Sequence, residues 1–255
     1  MTTLPHLPLA ESILDTVAAE KEAHEEQAIA QKIQSLAGQF LSALHRTLGM
    51  PDVTAVGAPC LLTPDTVRTI SCHEVDAEFE DLTMRKLIAE GYAMQAGFPR
   101  DREYHAWIRD EHGKRINNGP DSTAELIDWF MSEQAKNICD HSGGNIDQSC
   151  ILLQLVRTPE GRKGCTILSL MRGTSFDVRE KLEHPRPRRD ADGSLRGIHL
   201  WTLKELVRSN AGLGAILHSG GTAAVLEYGK DIQYRESSPQ WNGTLFECSL
   251  VNESV

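Results

Sequence analysis

The chain has 255 residues, 40% of them apolar, enough to bury a substantial core as one large domain or two small ones. Its 36 acidic against 26 basic side chains leave a formal charge of −10, which argues against broad contact with a nucleic-acid backbone, so no nucleic-acid partner is expected. No run approaches the roughly 20 apolar residues of a membrane span, and "MTTLPHLPLAESIL" lacks the basic start and apolar core of a secretion signal, so a cytoplasmic location with no membrane partner is expected.

Residues 10–48 read as helical: Ile29, Ile33, Leu36, Phe40, Leu44 and Leu48 recur at spacings of three or four, and Gly49 with Pro51 supplies the stop. This apolar stripe must pack on the rest of the chain or on a second copy. A second helix lies around "AEFEDLTMRKLIAEGYAMQAG", ending at Gly97 and Pro99, and 113–120 reads as a loop. "DSTAELIDWF" opens a further helix, with Ser122 and Glu125 at capping-box spacing and Leu126, Ile127, Phe130 and Ile138 on its buried face. Gly143 and Gly144 stop it.

Beyond that stop, "CILLQLVR", "GCTILSLM", "AAVLEYG" and "GTLFECSL" read as strands, the first two joined by the turn "TPEGRKG". Helical "LWTLKELVRSN" separates the two pairs, and "GLGAILHSGG" reads as a glycine-rich turn leading into the third strand. The expected fold class is α/β (α+β), a two-layer sandwich in which a mixed, mostly antiparallel sheet packs on helices. The expected division is a helical region at 1–112, acting as a dimerisation element or an amino-terminal cover, and a sandwich domain at 113–255. Six cysteines without a CxxC pair read as buried thiols.

The chemistry concentrates in "SEQAKNICDHSGG", residues 132–144. Glu133 and Asn137 are four apart on one helix, so their side chains share a face and can converge on one ligand. An asparagine oxygen suits Mg²⁺ beside nucleotide phosphates, and a glutamate can orient or deprotonate an attacking hydroxyl. A solvated helix face presents the same spacing. Cys139, His141 and Cys150 offer zinc-type ligands, but Cys139 and His141 point about 200° apart on a helix, which disfavours a shared metal.

The order of "EQAKNICDHSG", two strands, a glycine loop, a second glycine before a helix, and a terminal "GTLFECSL" strand resembles the GHKL (Bergerat-fold) ATPase superfamily. That superfamily includes gyrase-type ATPases, the catalytic domain of histidine kinases and the anti-sigma-factor serine kinases. The resemblance covers residues 120–250 and lies closest to the kinase-like members, where a helix reading E-x-x-x-N-x-x-x-H-S carries the nucleotide's magnesium. It implies ATP and Mg as cofactors, Asn137 as the magnesium ligand, Glu133 as general base, and His141 with Ser142 closing the helix. It further implies Gly173 as the first glycine of D-x-G-x-G, Gly197 and Leu200 at the G-x-G-L position, Thr244 beside the adenine, and residues 174–196 as a mobile lid carrying Arg186, Arg188 and Arg189.

The chain departs from that pattern at the adenine end. Met171 stands where the family has the aspartate that reads the adenine amino group, and a thioether is a poor acceptor. Asp177 is six residues too late to replace it. Ser175 stands at the second glycine of D-x-G-x-G, and His199 at the second glycine of G-x-G-L, where the family needs backbone close to phosphate. Two readings follow: an ATP-binding, histidine-kinase-like regulator, or a catalytically inactive pseudo-ATPase that works as a protein-interaction module. Both imply a protein partner, and a homodimer fits either. His24 with Glu25 and His73 with Glu74 are the phospho-acceptor candidates, and each also reads as a surface histidine.

Overall fold

The computed structural model describes residues 6–20, 26–73, 84–109, 115–117, 119–173, 175–184, 188–189, 195–196 and 199–253. The amino-terminal helical stretch is divided between α1 (Leu7–Glu20) and α2 (Glu26–Leu48). His24 lies outside the described residues. α2 ends as its sequence dictates: Gly49 takes φ 73°, and the Met50 N–H donates to the His45 carbonyl at 2.9 Å, closing the last turn. Two short strands, β1 (Thr54–Ala55) and β2 (Cys60–Leu62), then lead into α3 (Pro64–His73). α4 (Met84–Gln95) is closed at Gly97, φ 75°, with Phe98 N–H bonded to the Ala93 carbonyl.

The segment expected as a loop at 113–120 contains a strand instead. β3 (Trp107–Arg109) pairs antiparallel with β4 (Arg115–Asn117). One apolar residue, Ile116, is too little alternation to reveal a three-residue strand. The Asn117 side chain organises the approach, its Oδ1 accepting from the Ala106 and Gly119 N–H groups. A Cβ at Gly119 would lie 1.9 Å from the Tyr104 carbonyl oxygen, so only glycine permits this contact.

α5 (Thr123–His141) follows with the expected cap: Ser122 Oγ accepts from the Glu125 N–H at 3.1 Å, and Glu125 Oε2 accepts from the Asp121 N–H at 2.9 Å. After the αL glycines Gly143 and Gly144, β5 (Ser149–Arg157) and β6 (Lys163–Arg172) form the expected hairpin, its turn held by Gly161 at φ 87°. α6 (Val178–Glu183), β7 (Arg188–Arg189) and β8 (Leu195–Arg196) come next, followed by α7 (His199–Ser209). β9 (Leu213–Glu227) and β10 (Gln233–Val251) complete the chain. "GLGAILHSGG" is therefore already strand: only Gly212 is a turn residue, and the apolar residues after it alternate across the sheet.

The fold is an α+β sandwich. A six-stranded sheet runs β1-β5-β6-β10-β9 with β2 also paired to β5, and every described pairing is antiparallel. Alternation divides the strands between two cores. Ile151, Leu153, Ile167, Leu217, Phe246 and Leu250 face a layer built from α3 to α7, with Phe130 and Ile138 of α5 at its centre. Leu152, Leu168, Leu170, Ile216 and Leu245 face the other way, where α1 and α2 cover them with Ile13, Leu14, Phe40 and Leu44. The helical stripe of α2 thus packs on its own chain. None of the described helices is long and apolar enough to cross a membrane.

Candidate functional site

α5 lies over β5 and β6, and its register decides which polar groups leave the core. Leu126, Phe130, Met131 and Ala135 are fully buried. Glu133 and Asn137 share the flank of this face, as their spacing requires. Glu133 is buried, with Oε1 3.8 Å from Lys136 Nζ, while Asn137 is half-buried and His141 is exposed at the helix end. Ser142 is buried and caps the helix through its backbone N–H, which donates to the Ile138 carbonyl.

A second group forms at the ends of β6, β10 and β9. Strand register places Thr244 opposite Met171 on one side and Ser219 on the other, all three on the α5 face. Ser219 Oγ and Thr244 Oγ1 are 3.1 Å apart, and Ser219 Oγ also accepts from the Phe176 N–H at 2.9 Å. Met171 is 4% exposed and belongs to the helix-side core. Gly173 has φ 93°, and a Cβ there would meet Asn145 Nδ2 at 2.7 Å, so its glycine serves a turn against the loop that follows α5.

Part of the segment expected as a lid is packed on the sheet. Val178 and Leu182 of α6 are buried, packing the helix beside β9, and Asp177 Oδ1 caps it by accepting from the Glu180 N–H at 2.9 Å. Asp177 therefore has a structural employment. Arg188 and Arg189 form β7, paired with Arg196 and Leu195, and Arg186 lies outside the described residues. So does Gly197, whereas His199 begins α7 and Leu200 packs against the helix-side core. The predicted residues are thus gathered as an α5 group (Glu133, Asn137, His141) and a strand-end group (Gly173, Thr244).

The zinc ligands separate. Cys139 packs toward the helix-side core, while Cys150 is fully buried on the opposite sheet face, its thiol pushed up to about 12 by burial. No cluster of three or more His, Cys, Asp or Glu side chains exists among the described residues. His73 closes α3, and Glu74 lies outside the described residues.

A cleft of about 280 Å³ opens between α6, α7 and the β9–β10 turn, lined by Glu183, Lys204, Arg208, Lys230 and Tyr234 among others. Burial pushes the Tyr234 hydroxyl up to about 12, and the Arg179 guanidinium lies 4.6 Å over its ring. Glu133, Asn137, Gly173 and Thr244 do not line it. Sequence reasoning missed the Ser219 hydroxyl; its signal was "HSGG", a polar interruption inside an otherwise apolar strand. Compared with known proteins, the sequence matches no family profile, and no curated protein aligns with it significantly.

Proposed function

We propose that this chain is a regulatory protein on a GHKL-like frame that acts by binding a protein partner, its ancestral nucleotide site closed at the adenine end. The frame is supported by the succession α5, β5, β6, α7, β9, β10 and by α5 lying across β5 and β6. The observation that carries the closed site is the Met171–Thr244 pair. The buried thioether stands in register beside the threonine hydroxyl that would accompany the base, and that hydroxyl is engaged with Ser219, which also holds the backbone of Phe176. An adenine amino group entering there meets sulfur and methylene instead of a carboxylate.

A second reading, Mg·ATP held from the phosphate end, is favoured by Asn137 and Glu133 on one flank of α5. Asn137 would hold the ion there, and the buried Glu133 would act as base. The two readings are separated by thermal unfolding with and without millimolar Mg·ATP, since a ligand of the folded state raises the midpoint. No shift is expected. A magnesium-dependent rise that disappears in Asn137→Ala overturns the first reading in favour of the second.

A further inference from the structure

α4 is held firmly on one face. Ala89 and Ala93 are buried, Arg85 pairs with Asp128 of α5, and the Tyr92 hydroxyl accepts from the Cys60 N–H at 2.8 Å while donating to the Leu153 carbonyl at 3.0 Å. The opposite face is apolar. Met84, Leu87 and Met94 are 69%, 53% and 70% exposed, and with Gly91 they fall at spacings of three, four and three, the pattern of a helix-pairing seam. Single exposed apolar residues are ordinary, but a stripe of them on one rigid helix is not.

Gly91 sharpens the point. It lies inside the helix, where glycine is the poorest choice after proline. None of the described residues lies within 4 Å of the Cβ it lacks, so their packing does not require it. Such a glycine leaves room for something arriving from outside.

We infer that this face of α4 is a homodimerisation surface on which two copies of the chain pack antiparallel, the two-fold axis crossing the stripe midway between Leu87 and Gly91. The stripe is its own complement under that operation: Met84 of each copy meets Met94 of the other, and Leu87 of each fills the space over Gly91 of the other. Charge agrees. Lys86 and Glu90 are exposed on one flank of the stripe, and the two-fold brings each lysine within reach of the other copy's glutamate. A parallel pairing would set Gly91 against Gly91 and leave a gap.

The three apolar side chains offer on the order of 300 Å² per copy, well under the ~800 Å² per partner of a standard stable interface. The dimer is therefore weak and concentration-dependent. It stands apart from the nucleotide reading, because no part of the α5 or strand-end group lies on this face.

Sedimentation velocity on the full chain, from micromolar to hundreds of micromolar without nucleotide, tests it. The wild type should climb from monomer toward twice its mass. Leu87→Glu should remain monomeric throughout, and Gly91→Leu should weaken association by about tenfold or more while raising the thermal midpoint of the monomer, because leucine is the better helix former. Lys86→Glu should weaken the dimer, and Lys86→Glu with Glu90→Lys should restore it. Monomer mass at every concentration, or a dimer indifferent to Leu87→Glu and Gly91→Leu, overturns the proposal; failure of the charge swap to restore association overturns the antiparallel arrangement.

Discussion

His45 and Glu247 lock α2 to the centre of the sheet, and removing one partner should expose the strength of that lock. His45 is 1% exposed and Glu247 fully buried, with Nε2 and Oε1 3.1 Å apart. Nδ1 lies 2.8 Å from the Pro51 carbonyl oxygen, and Ser249 Oγ donates to the same carboxylate oxygen. Both ring nitrogens face acceptors, an arrangement that favours the imidazolium, which can donate to both. Burial opposes that charge, but Glu247 and the Pro51 carbonyl outweigh it and raise the His45 pKa above its ordinary 6.5. His45→Ala strands a buried carboxylate and should cost roughly 3–5 kcal/mol. Glu247→Gln should cost only about 1–2 kcal/mol, because the neutral ring can donate from Nδ1 and accept from the amide at Nε2.

The pH dependence separates these further. A raised histidine contributes stability that is fully present below 6.5 and lost as pH rises through the folded value. His6 and His218, buried against each other, are lowered to about 3 and about 4, so their influence falls below 6.5. Burial also raises Cys60, Cys150, Cys165 and Cys248, whose effect begins near the ordinary thiol value of 9.0. Urea unfolding at a series of pH values from about 6.5 to 8 should show wild-type stability declining and Glu247→Gln flat. A His45→Ala cost under about 1 kcal/mol, or a slope that survives in Glu247→Gln, refutes the charged lock.

Met171→Asp, which reinstates the family's carboxylate, should lower stability by about 3 kcal/mol without creating ATP-dependent stabilisation; wild-type stability would mean the strand end is hydrated. Gly243→Ala should cost more than about 2 kcal/mol, because the new methyl would lie 2.5 Å from the Met171 carbonyl oxygen and 3.0 Å from the Trp241 ring, and an unchanged denaturation midpoint would contradict that crowding. Ser122→Ala should cost about 1 kcal/mol through loss of the α5 cap; a neutral result in urea unfolding would show that Glu125 holds this end alone.

Much of the candidate site was legible along α5 because its signals are local. Ser122, Glu125 and the glycines after His141 set its ends, and the four-residue spacing set Glu133 and Asn137 on one flank. The strand-end group was legible only in part. Thr244 was named only through the family resemblance, and its engagement with Ser219 depends on which residue of β9 falls opposite it, because a register is a property of two strands together. α6, inside the segment expected as a lid, was not legible because "DVREKL" is too short to show helical periodicity, and the helix forms where Val178 and Leu182 find buried places beside β9.

By itself the sequence determined the elements whose causes lie within a few residues: the α2 stop at Gly49, the α5 cap and the β5–β6 hairpin turn. Tertiary structure alone decided what covers each face. The periodicity of α2 was equally consistent with packing on a second copy, and only the folded chain pairs His45 with Glu247, 202 residues away. Hydrophobic burial is non-directional and rewards any apolar cover, so the choice between covers falls to shape, register and the few polar groups that must find partners inside. Those groups, His45 with Glu247 on one face and Ser219 with Thr244 on the other, set α2 and the start of the α6 segment in place.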